Sequence, residues 1–534
     1  MKKALPWILC IVALFIYPPA FLPFTEGKWL ALWLAGLFSL AYLLRAPVIF
    51  PNFSKAINAF FGLILVGMLA QLFWARPQAF LFVVANRLSF FLVALGFWKA
   101  FRRGLGPKDF WAPLALGLFF TSLGALIRAP GPGGFFGDAN LAAEAVAFLF
   151  VALWRLSPPE RTRPLILRSF LFLSFTLGSL FLFLQAAGWL LLAVALALAL
   201  TQSRGANDLK SWPSRLPFAS LGLGLSLAIL VSLASGALPR AVSSPLIAGS
   251  QFSLWKHTLL LAQANPLGVG PERFEFASLR PMAAALGLPE GQRILSPGNE
   301  ALRYLAEDGL PLTLAYAAAW GLLLALYRRR NANLSAWAYA PLIFLGLSCF
   351  ALPLLQNALV VAALAALWGL MASEVSGEGR IRRPLAIALF RFNVSVVVGC
   401  IVGAAVLSRS FEAQASRAAL ACQITPANWR ACLLAGHELQ ANGDFQAARY
   451  FVEGVLAGEP DNLLAQQRLV FIAGNQRRNL EACFLLWRFD DFYGGKSSQH
   501  ERLLKNCRPK WLEYFAKKRP TRFYERQKKM PTGF

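Results

Sequence analysis

A polar stretch between two membrane-length apolar segments contains the residues of this chain that are best suited to acid–base chemistry. It covers residues 237–301 and includes His257, the only histidine in the apolar part of the chain, directly after Lys256. A histidine side chain takes up a proton readily near neutral pH. Lys256 and His257 are therefore candidate catalytic residues. A role on a helix surface, or in a structural hydrogen bond, is the alternative for His257.

Arginines form a second group of candidate site residues, because a guanidinium group can donate two parallel hydrogen bonds to a carboxylate or a phosphate. Arg87 lies inside a predicted membrane span, where an unpaired charge costs several kcal/mol, so its side chain should face the bundle interior or water. Glu144, one turn into another span, is a possible partner for it. The other candidates lie in or beside the polar stretch, where bracing of the loop is the alternative role; they are Arg240, Arg273, Arg280, Arg293 and Arg303.

Apolar helices must position these residues. The chain has 534 residues, of which 57% are hydrophobic and only 15% are charged, and its mean hydropathy is +0.53. Repeated apolar runs of about 20 residues predict an all-α, polytopic membrane helix bundle. We interpret the basic, apolar start of the chain as a first span rather than a cleaved signal peptide. The predicted spans number thirteen, near 4–23, 28–44, 56–74, 79–100, 111–128, 139–155, 166–185, 188–202, 216–236, 302–327, 337–355, 357–372 and 385–407.

Lysine and arginine residues are distributed unequally between the predicted loops. With the N-terminus inside, the cytoplasmic loops hold most of them, and the short outer loops hold only Lys28, Arg76 and Arg128. This bias predicts that residues 237–301, and everything after Arg409, lie outside the cytoplasm. It also accounts for much of the net charge of +26, so membrane lipid is a predicted partner and nucleic acid is not.

The composition changes after Ser408, where amphipathic helices replace the apolar runs. Two Pro-x-Asn triplets, at 426–428 and 460–462, are 34 residues apart, which is the period of tetratricopeptide repeats. We predict a tetratricopeptide-like segment at 409–490, either a docking surface for a protein partner or a structural cap, followed by a basic tail at 491–534. Four cysteines in this part could form disulfides in three connectivities or remain buried thiols; they are Cys422, Cys432, Cys483 and Cys507.

Three sequence blocks in the transmembrane domain, predicted at 1–408, resemble the O-antigen ligase and O-antigen polymerase family. The first is residues 134–143 (GFFGDANLAA), which contains Asn140. The second is residues 266–271 (PLGVGP), with Trp255 before it and Phe274 after it. The third begins at Asn299 and runs through Glu307 to Gly309. The blocks occur in the family's order, within about residues 110–370.

The resemblance implies a metal-independent, cofactor-free transfer or polymerisation of glycans carried on undecaprenyl diphosphate, at the outer face of a bacterial inner (cytoplasmic) membrane. A base would accept the proton of the acceptor hydroxyl, and cationic groups would stabilise the departing lipid diphosphate. On this interpretation the substrate-binding residues are Arg87, Asn140, Arg240, Arg273, Arg293, Asn299 and Arg303. No Cys or His spacing suggests zinc, so no metal site is predicted.

The chain departs from the family at the charged catalytic positions. Gly298 stands where the family has a histidine, Gln251 where it has an arginine, and residues 186–188 (AAG) where it has Ser-Arg-Gly. Two interpretations therefore remain open. The chain is either a glycan transferase that uses Lys256 and His257, or a catalytically degenerate member that binds lipid-linked glycan or scaffolds an envelope-polysaccharide machine. A transporter is a third possibility, without internal repeats to support it.

Overall fold

The computed structural model of the chain is almost entirely helical. It describes residues 2–16, 23–45, 49–53, 77–129, 134–136, 139–154, 164–185, 212–235, 249–270, 299–330, 341–346, 357–380, 384–412, 415–424, 428–458, 462–493 and 507–518, with the isolated positions 58, 62, 64, 66–67, 193–195, 197, 274 and 505. The predicted spans near 56–74, 188–202 and 337–355 lie largely outside these residues.

The described residues before position 413 form twelve α-helices. They are α1 (Trp7–Leu14), α2 (Pro23–Leu44), α3 (Pro77–Arg102), α4 (Trp111–Leu126), α5 (Ala139–Trp154), α6 (Pro164–Gln185), α7 (Trp212–Ser235), α8 (Gly249–Ala264), α9 (Glu300–Glu307), α10 (Gly309–Arg330), α11 (Ala358–Val375) and α12 (Pro384–Glu412). Two short strands, β1 (Ile49–Asn52) and β2 (Gly377–Arg380), pair antiparallel, with Ile49 opposite Arg380.

Among the described residues, five helical stretches are long and apolar enough to cross a membrane, which is compatible with a membrane protein. They are Phe82–Arg102, Pro107–Leu126, Gly309–Tyr327, Ala358–Val375 and Ala386–Phe411. Each coincides with a predicted span. Four further predicted spans coincide with shorter apolar helices, at Lys28–Leu44, Leu141–Trp154, Ser169–Leu184 and Ala219–Ala234. The total of thirteen spans, and their orientation, stay predictions.

The first predicted span, 4–23, is not one continuous helix in the structure. Helix α1 has only eight residues, and the backbone is extended at Phe15. Eight residues rise about 12 Å, less than half of a bilayer core. The carbonyl groups at the end of α1 accept hydrogen bonds from Lys28, whose Nζ lies 2.6 Å from the oxygen of Ala13 and 3.3 Å from that of Phe15. Lys28, predicted in an outer loop, is therefore buried inside the bundle.

Two other lysines cap helix ends in the same way. The ammonium group of Lys99, fully buried, donates to the carbonyl oxygens of Tyr42, Leu43 and Arg45 at 3.1, 2.9 and 2.8 Å, at the end of α2. Lys2 donates to the carbonyl oxygen of Arg103 at 2.8 Å, just after α3. The last carbonyls of a helix have no partner within it and carry partial negative charge, so a lysine stabilises them.

The main core lies between α3 and α11. Gly369 of α11 allows the closest approach, because a Cβ there would lie 2.6 Å from the carbonyl oxygen of Ala94 in α3. At the ends of these helices the indole of Trp98 donates to the hydroxyl of Ser376 at 2.8 Å. Helix α11 is buried along most of its length, so the α3–α11 pair is the rigid centre against which the remaining helices pack.

The C-terminal helix array comprises α13 (Ala418–Ile424), α14 (Trp429–Ala441), α15 (Phe445–Gly458), α16 (Leu463–Asn475), α17 (Asn479–Tyr493) and α18 (Pro509–Lys518). Its two disulfides, Cys422–Cys432 and Cys483–Cys507, select one of the three connectivities that the sequence leaves open. Helix α18 lies within the range predicted as a basic tail, and its fully buried Phe515 packs into the core of the array.

The two Pro-x-Asn triplets supply equivalent helix caps. The side-chain oxygen of Asn428 accepts a hydrogen bond from the backbone N–H of Ala431, and that of Asn462 accepts one from Ala465, so each asparagine is the N-cap of a helix. Asparagine is among the best N-cap residues. The 34-residue repetition thus has a structural counterpart, while its assignment to tetratricopeptide repeats stays a prediction.

A buried arginine, Arg449, links α15 to α17 within the helix array. Arg449 of α15 donates to the carboxylate of Glu481 in α17 at 3.0 and 2.5 Å, and to Glu453 one turn along its own helix at 2.8 Å. Burial lowers the pKa of Arg449, but the hydrogen bonds and charge of Glu481 outweigh this and raise it overall. The guanidinium group of Arg449 therefore keeps its charge, and its hydrogen bonds to Glu481 fix α15 against α17.

Candidate functional site

The second and third sequence blocks meet in the structure. The turn at residues 265–270, which follows α8, lies against the junction of α9 and α10. The backbone N–H groups of Val269 and Gly270 donate to the carbonyl oxygens of Ala306 and Glu307, each at 2.9 Å. In return, the N–H of Leu310 donates to the carbonyl oxygen of Pro266 at 3.0 Å. We call this unit the loop clamp, residues 265–270 with 306–310.

Two glycines make the loop clamp possible. Gly268 and Gly309 have φ angles of +85° and +81°, in the left-handed region that other residues rarely adopt. Their backbones also touch. A Cβ on Gly268 would overlap the carbonyl oxygen of Glu307, and one on Gly309 would overlap the backbone of Leu267. The glycines that the sequence analysis took as part of a motif therefore act through backbone geometry.

The loop clamp holds Asp308 against Arg87. One guanidinium nitrogen of Arg87, in α3, donates to both carboxylate oxygens of Asp308, at 2.8 and 3.0 Å. The side chain of Asp308 is only 1% exposed and that of Arg87 is 20% exposed. Sequence reasoning placed Arg87 inside the bundle but considered Glu144 as its carboxylate partner, and Asp308 was missed. Glu144 is buried in α5.

Helix α9 carries a second group of charges next to this pair. Arg303 lies between Glu307, at 3.3 Å, and Glu300, at 3.8 Å. The other carboxylate oxygen of Glu307 accepts the backbone N–H of Phe274 at 3.2 Å. Residues 300, 303 and 307 follow the i, i+3, i+7 spacing of one helix face, so α9 presents a line of charges whose carboxylates are buried.

Two tyrosines connect the charged groups. The rings of Tyr304, in α9, and Tyr316, in α10, meet edge to face with centroids 5.6 Å apart. Tyr304 lies close to Glu300 and Asp308, and Arg87 is near both rings. We call the whole group the charge cluster, and it contains Arg87, Glu300, Arg303, Tyr304, Glu307, Asp308 and Tyr316. With all ionised, its three carboxylates exceed its two guanidinium groups by one negative charge.

Asn299 has a structural function at the start of α9. Its side-chain oxygen accepts the N–H of Leu302 at 3.0 Å, which makes it the N-cap of the helix, and the residue is buried. The preference of N-caps for asparagine could have identified this role from the sequence. Asn140 is the second residue of α5.

The two candidate catalytic residues lie on α8, which packs on α9 through Leu254, Leu261 and Ala262. Lys256 is exposed on the opposite face of α8, and His257 is half-buried at its edge. Successive residues of a helix point about 100° apart, so these two side chains do not share a face. Within the described part of the chain, neither makes a hydrogen bond or an ion pair.

The remaining predicted arginines, Arg240, Arg273 and Arg293, lie outside the described residues, as does Arg280. Of the predicted phosphate-binding arginines that are described, both Arg87 and Arg303 are in contact with carboxylates. Among the described residues, no group of three or more His, Cys, Asp or Glu side chains is placed to hold a metal ion.

Comparison with known proteins adds no relative: the sequence matches no protein-family model and is similar to no curated protein.

Proposed function

We propose that this chain is an integral membrane protein of the O-antigen ligase and polymerase type. It acts on undecaprenyl-diphosphate-linked glycans during assembly of envelope polysaccharide or during O-glycosylation. The observation that carries the proposal is the loop clamp: two sequence blocks that resemble the family, about 40 residues apart in the chain, interlock through backbone hydrogen bonds. Their meeting point lies beside Arg87 of an apolar helix.

The arrangement suits a reaction at the surface of a membrane. The loop clamp joins α8 to the first residue of the apolar stretch Gly309–Tyr327, so a water-soluble acceptor and a membrane-held donor could meet there. In the proposed orientation this end of α10 faces the outside of a bacterial inner membrane, and the C-terminal helix array lies on the same side, where it binds a protein partner.

A second candidate, a catalytically degenerate member that binds lipid-linked glycan or scaffolds other enzymes, is favoured by the charge cluster. Stabilising a departing diphosphate requires unpaired cations. Arg87 and Arg303 are engaged by carboxylates instead. A transferase mechanism would draw its cations from Lys256 and from the other candidate arginines, which are Arg240, Arg273, Arg280 and Arg293.

A glycan profile of a deletion strain tests the proposal. The strain is complemented with wild type, with Lys256→Ala/His257→Ala, or with the control Lys505→Ala/His437→Ala, which removes exposed residues of the same types from the helix array. For a transferase, deletion accumulates lipid-linked glycan, and only wild type and the control restore the surface polymer.

The other outcomes are equally informative. If the Lys256→Ala/His257→Ala variant restores the polymer fully, these side chains are not catalytic, and the binding role gains support. Unchanged lipid-linked and surface glycans after deletion would contradict both candidate functions.

A further inference from the structure

Helix α8 has one face that the rest of the protein leaves exposed. Its inner face packs on α9, as described above. The outer face carries Lys256, Leu259 and Leu260, spaced i, i+3 and i+4. Leu259 is 43% exposed and Leu260 is 50% exposed. Leucines on the outer side of a polar loop are unusual if that side meets only water, because contiguous exposed apolar surface marks a contact with lipid or protein.

This apolar face continues into the surface of a membrane-length helix. Leu267, at the tip of the loop clamp, is 58% exposed, and the hydrogen bond between Pro266 and Leu310 holds it beside the start of α10. Leu310 and Leu314, one turn apart on α10, are 50% and 58% exposed. Only 22% of this span is buried within the protein, so its exposed side is the side that faces lipid.

The outer face of α8 is charged at Lys256 and apolar at Leu259 and Leu260, and exposed Gln263 follows one turn later. The leucines lie towards the C-terminal end of α8, which the loop clamp ties to the span, and Lys256 lies one turn further away. A helix in the membrane interface places its apolar side chains among the upper acyl chains, and a lysine reaches the headgroup phosphates.

We propose that α8 lies in the interface of the lipid bilayer, with Leu259, Leu260 and Leu267 in the acyl region and Lys256 at the phosphates. The partner of this surface is lipid. The face belongs to α8 whether or not the protein acts on glycans, so the inference stands independently of the proposed function.

Depth measurements with nitroxide labels test the proposal. The full-length protein, in which Cys349 and Cys400 are replaced by serine and Cys10 stays buried, receives a single new cysteine at Leu260, Leu267 or Lys256. It is reconstituted in vesicles of phosphatidylethanolamine and phosphatidylglycerol. Leu314→Cys in α10 is the membrane control, and Tyr450→Cys in the helix array, 76% exposed, is the water control. Collision rates with oxygen, which concentrates in lipid, are compared with those of a water-soluble nickel chelate.

The expected result is an oxygen-to-nickel ratio at positions 260 and 267 that approaches the ratio at 314 and exceeds that at 450 several-fold. Position 256 should be intermediate. Ratios at 260 and 267 equal to the ratio at 450 would overturn the proposal. Protection of both positions from oxygen and nickel alike would also overturn it, because another protein surface would then cover the face.

Discussion

Two arginines of this protein, one buried and one largely buried, are held by carboxylates in different ways. Arg449 of the helix array belongs to a local network: Glu453 is on the same helix, and Glu481 is also within 3.7 Å of Arg478. Arg87 of the charge cluster instead reaches Asp308, 221 residues away in the sequence. The array spreads its charge over neighbouring helices, whereas the cluster concentrates a long-range connection in one ion pair. The same residue type thus reinforces a local motif in one region and holds distant elements together in the other.

The largest effect is expected for Arg87→Met. Removing Arg87 takes an ion-pair partner away from the buried carboxylate of Asp308, and breaking a buried ion pair in this way costs about 3–5 kcal/mol of stability. Thermal unfolding in detergent should show a large fall in the midpoint. The double variant Arg87→Met/Asp308→Asn should recover much of the loss, because the buried charge is then removed too. Equal instability of the single and double variants would show that the ion pair does not join the two elements.

Gly309→Ala should have the next largest effect. A non-glycine residue at positive φ costs about 1–2 kcal/mol, and the added methyl group also overlaps the backbone of Leu267, so the total is at least about 2 kcal/mol. Gly321→Ala, in the same helix with open space around it, is the matched control. If both variants unfold at the same midpoint, the loop clamp does not depend on Gly309.

Arg449→Met should cost less than Arg87→Met, roughly 1–3 kcal/mol. Arg478 remains beside Glu481, and Glu453 is 39% exposed, so water solvates it once its partner is lost. Unfolding of the helix array, followed by tryptophan fluorescence, gives the measurement. A loss of unfolding free energy as large as that for Arg87→Met would show that the two arginines contribute equally, contrary to the difference argued above.

The smallest effect is expected for Gly436→Ala, at most about 1 kcal/mol. A Cβ there would lie 3.0 Å from a methyl group of Val452 and 3.3 Å from the carbonyl oxygen of Ala448, so displacements of a few tenths of an ångström relieve both contacts. Gly436→Ala is the helix array's counterpart of Gly309→Ala. In Gly309→Ala the added methyl group overlaps backbone atoms, whereas in Gly436→Ala the nearest atom belongs to a side chain. Thermal unfolding of both variants side by side checks the difference.

Sequence patterns predicted the local structure of the molecule better than its long-range contacts. The five long apolar helices follow from the length and composition of apolar runs. The 34-residue spacing of the Pro-x-Asn triplets predicted a repeat, and the structure adds that Asn428 and Asn462 are N-caps. The two blocks of the loop clamp were found by their resemblance to a family. The Arg87–Asp308 pair does not, because no local pattern links residues 221 positions apart. The early end of α1 was also missed. Hydropathy measures only how apolar a segment is, and it does not show that Lys28 donates to the carbonyl groups at the end of α1 in place of backbone N–H groups.

Hydrogen bonds attach the helix array to α12, so a change in the tilt of α12 in a membrane would move the array. The hydroxyl of Ser408 in α12 donates to the carbonyl oxygen of Ala421 at 3.1 Å and accepts the amide of Asn428 at 3.2 Å, so the array continues rigidly from this helix. Helix α12 has 29 residues, about 43 Å, and only 11% of its span is buried within the protein. A helix longer than the hydrocarbon layer tilts to fit it. We expect a thinner bilayer to increase that tilt and to swing the array with it, so lipid composition would set the direction in which the array faces.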